Sequence, residues 1–343
     1  MKILVTGGLG FIGSHTVVEL QNEGFDVIVV DNLSNASIDV LDGIEAITGK
    51  RPIFEKFDLR DKLKVQEFFG KYDIDGVIHF AASKAVGESV EKPLLYYENN
   101  LGVLVYILQE LEKKGGGNFI FSSSCTVYGQ ADEMPITEDA PVKPAESPYG
   151  NTKQIGEEII RDTCKVNPEL KAIALRYFNP FGSHPSNQIG ELPLGVPQNL
   201  IPFITQTGIG LREQLSVFGD DYPTEDGTCI RDYIYVVDLA KAHVKALQRL
   251  LKGENASNYE VFNLGTGKGS SVLEVIQSFE KVSGQKLKYR IVDRRPGDVI
   301  QAYADTTKAN KVLGWKAKAT LDEAMKTAWD WERKVRNSDK DKS

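Results

Sequence analysis

The first 31 residues constrain the fold more than any other stretch of the chain. Lys2 to Thr6 is an apolar run of strand length. It breaks at Thr6-Gly7-Gly8-Leu9-Gly10-Phe11-Ile12-Gly13, and an amphipathic stretch to about Glu23 then reads as a helix. The turn satisfies G-x-G-x-x-G through Gly8, Gly10 and Gly13, and T-G-x-x-G-x-x-G through Gly7, Gly10 and Gly13. Glycine permits a tight turn and a close backbone approach, and the helix N-terminus offers free N–H groups to a pyrophosphate. Glycine turns are common, so the strand before, the helix after and an acid at the right distance make the motif specific. That acid is Asp31, which follows a second strand (Asp26 to Val30) and lies 18 positions beyond Gly13. A carboxylate there accepts hydrogen bonds from ribose hydroxyls and repels a 2′-phosphate, so NAD is expected rather than NADP. The plainer reading of Asp31 is a cap on the turn at Asn32.

The alternation continues along the chain. Strands are expected at Pro52 to Lys56, Gly76 to Phe80, Asn118 to Phe121 and Ala172 to Arg176. Helices are expected at Arg60 to Lys71, Pro93 to Lys114 and Ser147 to Lys165. Strands separated by helices predict an α/β fold, a Rossmann-type doubly wound parallel sheet with ligands beyond the strand C-termini. Asp58, Ala81, Ser124 and Tyr177 all fall at such ends, so one crevice should collect them. After Phe178 the chain turns rich in Gly, Pro and Asn, with short strand-like pieces at Ser216 to Phe218 and Arg231 to Tyr233. Helices are expected at Val237 to Leu251, Val272 to Ser283 and Thr320 to Lys334. The division predicted is a cofactor domain over 1–178 and a smaller C-terminal α/β substrate lobe over 179–335. One helix or strand of that lobe is allowed to return to the first domain, and residues 336–343 are expected to fray.

The chemistry is expected at Ser147-Pro148-Tyr149-Gly150-Asn151-Thr152-Lys153, together with Ser122-Ser123-Ser124. Tyr149 and Lys153 are one helical turn apart on the same face. A phenol ordinarily ionises near pH ~10, and an adjacent ammonium favours the phenolate. With a serine hydroxyl sharing the same substrate oxygen, Tyr149, Ser124 and Lys153 form a proton-transfer device aimed at an alcohol. A Tyr followed four residues later by Lys is weak evidence by itself. It gains weight here because a redox cofactor motif stands at the N-terminus.

Composition excludes several classes of partner. The formal charge is −7 with no basic block, so nucleic acid is not an expected partner. Cys125, Cys164 and Cys229 are scattered, and His15, His79, His184 and His243 are too dispersed for a metal site. No apolar run reaches membrane-spanning length, and the start reads as a strand rather than a signal peptide. The expectation is a cytoplasmic protein with free thiols and no metal.

At this point the chain resembles the extended short-chain dehydrogenase/reductase superfamily, and within it the UDP-hexose 4-epimerases, from about Met1 to Trp331. The resemblance rests on the glycine turn through His15, on Val30-Asp31-Asn32-Leu33, His79-Phe80-Ala81 and Lys84-Ala85-Val86-Gly87-Glu88-Ser89. It continues through Ser122 to Gly129, Ser147 to Gly150, Arg176-Tyr177-Phe178-Asn179-Pro180, Pro223 to Thr228 and Arg295-Pro296-Gly297-Asp298. It implies reversible oxidation at sugar C4. Tyr149, assisted by Ser124, removes the hydroxyl proton while hydride passes to a captive NAD. The keto sugar turns over, and hydride returns to its other face. A UDP-sugar substrate and a homodimer, assembled through the helices Pro93 to Lys114 and Ser147 to Lys165, are implied in the same way.

The resemblance places NAD on Gly7, Gly10, Phe11, Ile12 and Gly13 in the turn, and on Asp31, Asn32, Asp58 and Leu59. It adds Phe80, Ala81, Lys84 and Asn99, then Ser122, Tyr149, Lys153, Tyr177 and Phe178. Lys84, Ser124, Thr126 and Tyr149 would meet the substrate from the cofactor side. Asn179, Asn199, Leu200, Val217 and Phe218 would meet it from the lobe, with Arg231, Tyr233, Arg295, Asp298 and Ala302. Arg231 and Arg295 suit a diphosphate, since a guanidinium binds one through two parallel hydrogen bonds. Phe218 would cover the uracil, and Arg294 reads as a surface ion pair.

One position departs from the stricter members of the family. Four residues beyond Asp298, some carry a Tyr that restricts them to glucose and galactose, and the count here reaches Ala302. A methyl leaves room for an N-acetyl group, so UDP-GlcNAc and UDP-GalNAc are expected as further substrates. A one-residue slip would put Tyr303 there instead. Cys125, where the family often has Ala, reads as a buried small residue. A nucleotide-sugar 4,6-dehydratase needs a carboxyl pair where Ser124-Cys125-Thr126 stands, and a decarboxylase usually has Glu at position 126. Both lose ground for want of a carboxyl. A non-catalytic NAD-binding regulator would commonly have lost the Tyr that Tyr149 retains.

Overall fold

The structure, a computed structural model, describes residues 1–295 and 298–340. Pro296 and Gly297 of the Arg295-to-Asp298 motif, and residues 341–343 of the expected frayed end, lie outside the described residues. The first part of the chain runs β1 (Lys2–Thr6), α1 (Phe11–Asn22), β2 (Asp26–Asp31), α2 (Val40–Thr48), β3 (Ile53–Lys56), α3 (Lys62–Lys71) and β4 (Gly76–His79). It continues with α4 (Val86–Glu91), α5 (Pro93–Tyr97), a π turn at Glu98–Gly102, α6 (Val103–Lys113), β5 (Gly117–Ser124), a 3₁₀ turn at Cys125–Tyr128, α7 (Pro148–Val166) and β6 (Leu170–Tyr177). The remainder is β7 (Asn179–Phe181), α8 (Leu200–Gly208), β8 (Leu215–Phe218), β9 (Ile230–Arg231), β10 (Tyr233–Tyr235), α9 (Val236–Leu251) and β11 (Tyr259–Leu264). It ends with β12 (Ser270–Ser271), α10 (Val272–Ser283), β13 (Tyr289–Val292), β14 (Gln301–Ala302), a π turn at Ala309–Leu313 and α11 (Leu321–Lys340).

Seven parallel strands form the central sheet in the order β11-β6-β5-β4-β1-β2-β3. Strand order reverses between β1 and β4, so a crevice opens beyond their C-terminal ends at Thr6 and His79. Side-chain alternation makes two cores from single strands. Ile3, Val5, Val27 and Val29 face α1, α2 and α9, whereas Leu4, Ile28 and Val30 face α3, α6 and α7. Ile3, Leu4 and Val5 have no exposed surface, and each such side chain contributes about 1.5–3 kcal/mol.

Two elements from beyond Phe178 belong to this sheet layer. β11 pairs with β6 from Tyr259↔Ala172 to Leu264↔Tyr177, and α9 places Leu239, Ala242 and Leu247 in the core with Ile3 and Val17. The rest of the C-terminal part has its own core, where Ile204, Val217, Ile276, Phe279 and Met325 pack together between α8, α10 and α11. α10 starts with a capping box: Ser271 accepts from Glu274 N–H while the Glu274 carboxylate accepts from Ser271 N–H.

Local breaks depart from the periodicity. The stretch Pro93 to Lys114 is not one α-helix, because the π turn at Glu98–Gly102 separates α5 from α6. This turn carries Asn100, whose amide donates to Ser83 O and to Thr152 Oγ1, both at 3.0 Å, and so ties the β4 loop to α7. The strand expected at Arg231 to Tyr233 is split at Asp232. There the chain leaves β14 for β7, and the Asp232 carboxylate accepts from Thr266, Gly267 and Ala304 N–H groups. α11 runs past Lys334 to Lys340.

Candidate active site

The glycine turn is a cradle with no room for side chains. Gly7 has φ +65°, and a Cβ there would lie 2.9 Å from Ala81 N; a Cβ on Gly13 would lie 2.3 Å from Gly7 O. Gly10 N–H donates to Gly7 O at 3.1 Å, and α1 opens at Phe11 with no side-chain cap, which leaves its first N–H groups for a ligand. Phe11 packs edge-on against His15. Asp31 accepts from Leu9 N–H at 3.2 Å and from Leu33 N–H at 2.9 Å. The turn-capping reading is therefore part of its role, and it fixes the carboxylate beside the cradle. Burial pushes this carboxyl above its usual range, with the backbone donors opposing.

Further residues expected around a dinucleotide line the same edge of the sheet. Asn32 donates to Asp58, which the Arg60 guanidinium holds down at about 2. Ala81 N–H donates to Thr6 Oγ1 at 3.3 Å, and the Phe80 ring lies 4.7 Å from that of His243. Asn99 donates to Ser83 Oγ at 3.0 Å, and Lys84 Nζ is 4.0 Å from Glu191. Ser122 Oγ and the Tyr177 hydroxyl form a very short hydrogen bond, and Phe178 is buried with Val127 and Ala304. Leu59 is different: its side chain is core, packed with Val65 and Phe68, so it can offer a ligand only its backbone.

Tyr149 sits in the first turn of α7. Ser147 caps that turn by accepting from Gly150 N–H at 3.2 Å, and Pro148 stands at the first helical position. Ser124, the last residue of β5, brings its hydroxyl to the Tyr149 phenol and favours the ionised form. Lys153 Nζ donates to Ser122 O at 2.7 Å and lies 5.8 Å from the Tyr149 ring centroid. Burial lowers this ammonium to about 8. The expectation of a depressed phenol is not met in the protein alone. Burial pushes Tyr149 up to about 12, and the opposing contact is with Ser124 rather than Lys153. Burial is the leading cause, and the ammonium makes its hydrogen bond to the Ser122 carbonyl and not to the phenol. A lowered phenol needs further positive charge in the crevice.

The C-terminal residues form the opposite wall. Arg231 Nη2 is 3.5 Å from Asp298, and the Arg295 guanidinium stacks 4.5 Å over the Phe218 ring. Asn199 donates to the Glu191 carboxylate at 2.8 Å, and Asn179 N–H donates to Asp232 O at 2.9 Å. Leu200 packs partly on the lobe core. Val217 and Tyr233 are core side chains there, 1% and 9% exposed, so their side chains do not line a crevice. Thr126 Oγ1 is buried with no partner among the described residues. Arg294 pairs with Asp221 at the surface, as expected. Ala302 pairs with Arg231 and packs against the cluster that holds Phe178 and Cys125. Tyr303 points the other way, because a Cβ on Gly269 would meet its ring at 3.2 Å. Tyr303 is the residue after β14, and successive residues of an extended segment point to opposite faces, so its ring lies on the other face from Ala302. Cys125 is half-buried rather than buried, and burial pushes its thiol up to about 11.

Sequence reasoning missed Glu157, Glu191, Asn100 and Asp232. Glu157 had a signal in its position one turn beyond Lys153, whereas the others depend on contacts far apart in the chain.

A glycine cradle, a strand-end Ser and a Tyr–Lys helix pair on one doubly wound sheet define the short-chain dehydrogenase/reductase class. The chain matches the family model described as GDP-mannose 4,6 dehydratase over residues 4–328. It is 52% identical over 332 residues to the UDP-glucose 4-epimerase of Bacillus subtilis (strain 168), covering 97% of each chain. The crystal structure of the UDP-glucose 4-epimerase from Bifidobacterium longum, in complex with NAD+ and UDP, superposes with a TM-score of 0.94 at 46% identity, covering 98% of this chain and 99% of that one. The UDP-Glc/GlcNAc 4-epimerase of Campylobacter jejuni does so with 0.84 at 37%, covering 97% and 99%. The chain belongs to the UDP-glucose 4-epimerase family of the extended short-chain dehydrogenases/reductases.

Proposed function

We propose that this chain is an NAD-dependent UDP-hexose 4-epimerase that interconverts UDP-glucose and UDP-galactose. The observation that carries the reading is the convergence of Tyr149, Ser124 and Lys153 at the end of the sheet, beside the cradle at Gly7 to Gly13. The cradle fits a dinucleotide, because it excludes side chains where backbone must approach a pyrophosphate, and Asp31 stands fixed at its edge. The cradle and Asp31 would hold NAD, which would supply hydride transfer chemistry and a positive charge to the crevice. Tyr149 takes the C4 hydroxyl proton and later returns it. Ser124 shares that oxygen, and Lys153 stabilises the phenolate that must exist between the two transfers. Arg231 and Arg295 hold the diphosphate, so the keto sugar can turn about that linkage without leaving. The pattern Ser124-Cys125-Thr126 has no carboxyl to eliminate water, which argues against a dehydratase despite the description of the family model.

Ala302 favours a broader substrate range. Its methyl stands beside Arg231 with Tyr303 turned away, which supports activity on UDP-GlcNAc and UDP-GalNAc as well. Residues 1–178 carry the cofactor and the reacting groups, and 179–335 the UDP-sugar contacts, with α9 and β11 completing the first part. A homodimer through α5, α6 and α7 is supported by Leu94, 81% exposed on α5. No helix among the described residues is long and apolar enough to cross a membrane. Residence in the cytoplasm is supported by the free, scattered thiols.

The test is to purify the protein, add UDP-galactose without NAD, and follow UDP-glucose together with the absorbance of bound reduced nicotinamide. Interconversion is expected, with Tyr149→Phe slower by about 10²–10⁴-fold at unchanged cofactor content. Undiminished interconversion by that variant refutes the mechanism, and cofactor binding without turnover by the parent protein favours the regulator.

A further inference from the structure

Behind the reacting pair lies a buried network that the mechanism above does not use. Tyr149, Lys153 and Glu157 are spaced four apart on α7, in one stripe. Glu157 and Arg176 are each 6% exposed. The Arg176 fork donates to both carboxylate oxygens, Nη2 to Oε2 at 2.6 Å and Nε to Oε1 at 2.9 Å. Ser123 Oγ donates to the same Oε1 at 2.5 Å, and the Tyr259 hydroxyl to Oε2 at 3.2 Å. Arg176 also donates to the Tyr128 hydroxyl at 2.9 Å, which donates to Asn263 Oδ1 at 2.6 Å.

Ser123 lies between the two residues that meet the reacting groups. Ser122 O accepts from Lys153, and Ser124 meets Tyr149. Ser123 is the residue of β5 paired with Arg176 of β6. The Glu157 carboxylate thus joins α7 to three strands, β5 through Ser123, β6 through Arg176 and β11 through Tyr259.

We infer that Glu157 is a positioning residue for the reaction: it locks the Ser122–Ser124 strand end to α7 and supplies the anion one turn behind the Lys153 ammonium. This inference rests on the epimerase reading of Tyr149 and Lys153. Lys153 is faced by Tyr149 and Glu157 on α7, by the Phe121 ring 5.0 Å away and Ser122 O on β5, and by His79 on β4. His79 is buried and neutral, its Nδ1 2.7 Å from Thr6 Oγ1. Glu157 is faced by Arg176 on β6, Ser123 on β5, Tyr259 on β11 and Lys153 on its own helix, while Tyr128 meets Arg176 and Arg161 acts on Tyr259. Burial lowers Lys153 to about 8, and Glu157 opposes that fall. Without the carboxylate, Arg176 and Lys153 would be two cations sharing a dry region. The ammonium would then lose its proton at lower pH, and the alkaline limb of turnover would move down with it.

The experiment measures kcat against pH for the parent protein, Glu157→Gln and Glu157→Asp, each with its bound NAD quantified. Gln keeps the shape and an acceptor for Ser123, and Asp keeps the charge. The alkaline limb is expected to move down by about one to two pH units in Glu157→Gln. It should stay in place in Glu157→Asp, with NAD content unchanged in both. Should the orphaned Arg176 prevent folding, Glu157→Gln with Arg176→Gln removes both charges, and a smaller downward shift is expected. An unmoved limb in a folded Gln variant overturns the inference, as does an equal shift in the Asp variant. Failure of both Gln variants to fold also overturns it, since that would make Glu157 a core group and no more. A parent protein that does not epimerise would instead refute the functional reading.

Discussion

Replacing Ala302 by Tyr should confine the enzyme to the non-acetylated sugars. β14 runs parallel to β9, so residue 302 sits beside Arg231 and against the cluster that holds Phe178 and Cys125. A phenol at 302 enters the crevice where the sugar C2 substituent is expected, whereas Tyr303 already projects to the far face near Gly269. One misfit methylene in a pocket costs about 1–3 kcal/mol, or roughly 10–200-fold in kcat/KM. An N-acetyl group is larger than a methylene, so the loss for UDP-GalNAc should reach at least about 100-fold. The rate with UDP-galactose should be largely retained, because a hydroxyl at C2 needs no such space. The assay compares kcat/KM for the two substrates in the parent and in Ala302→Tyr, with bound NAD measured in each. Good turnover of UDP-GalNAc by the variant refutes the placement of residue 302. A parent protein active on UDP-galactose but inert on UDP-GalNAc refutes the reasoning from the methyl.

Other perturbations probe the two walls and the core separately. Asp31→Ala should weaken NAD retention by about 10–150-fold, the worth of a hydrogen bond to a charged group, and reduce discrimination against NADP; cofactor titration of stripped protein checks both. Arg231→Ala should raise the KM for UDP-galactose by a similar factor of about 10–150 while bound NAD stays constant, as read from initial rates. Burial holds His15 and His79 down at about 3 and His243 at about 4, against an ordinary 6.5. These folded values lie below the unfolded one, so their contribution to stability is complete above pH 6.5 and is lost as pH falls, toward about 4 for His243 and about 3 for His15 and His79. Thermal midpoints should drop through that window, and His79→Asn should shallow the slope; an identical slope would exclude His79 as a source.

The cradle was legible because each of its requirements is local. Gly7 and Gly13 are demanded by a turn within a few residues, and Tyr149 and Lys153 by one helical turn. That the side chains of Val217, Tyr233 and Leu59 belong to the cores was not legible, because burial depends on packing partners that sequence spacing does not reveal. The single helix expected from Pro93 to Lys114 failed for a related reason. Its apolar period is compatible with either an unbroken ladder or a π turn, and Asn100 reaching Ser83 and Thr152 decides between them.

The amino-acid order by itself determined the doubly wound sheet, the glycine turn and the Tyr149–Lys153 stripe, since alternation, glycine conformation and helical spacing act over a few residues. Tertiary structure alone decided the sign of the shift at Tyr149, the face taken by Tyr303 and the clamp of Glu157 on Arg176 and Ser123. Those outcomes depend on desolvation and on contacts between distant strands and helices, which exist only once the chain has folded.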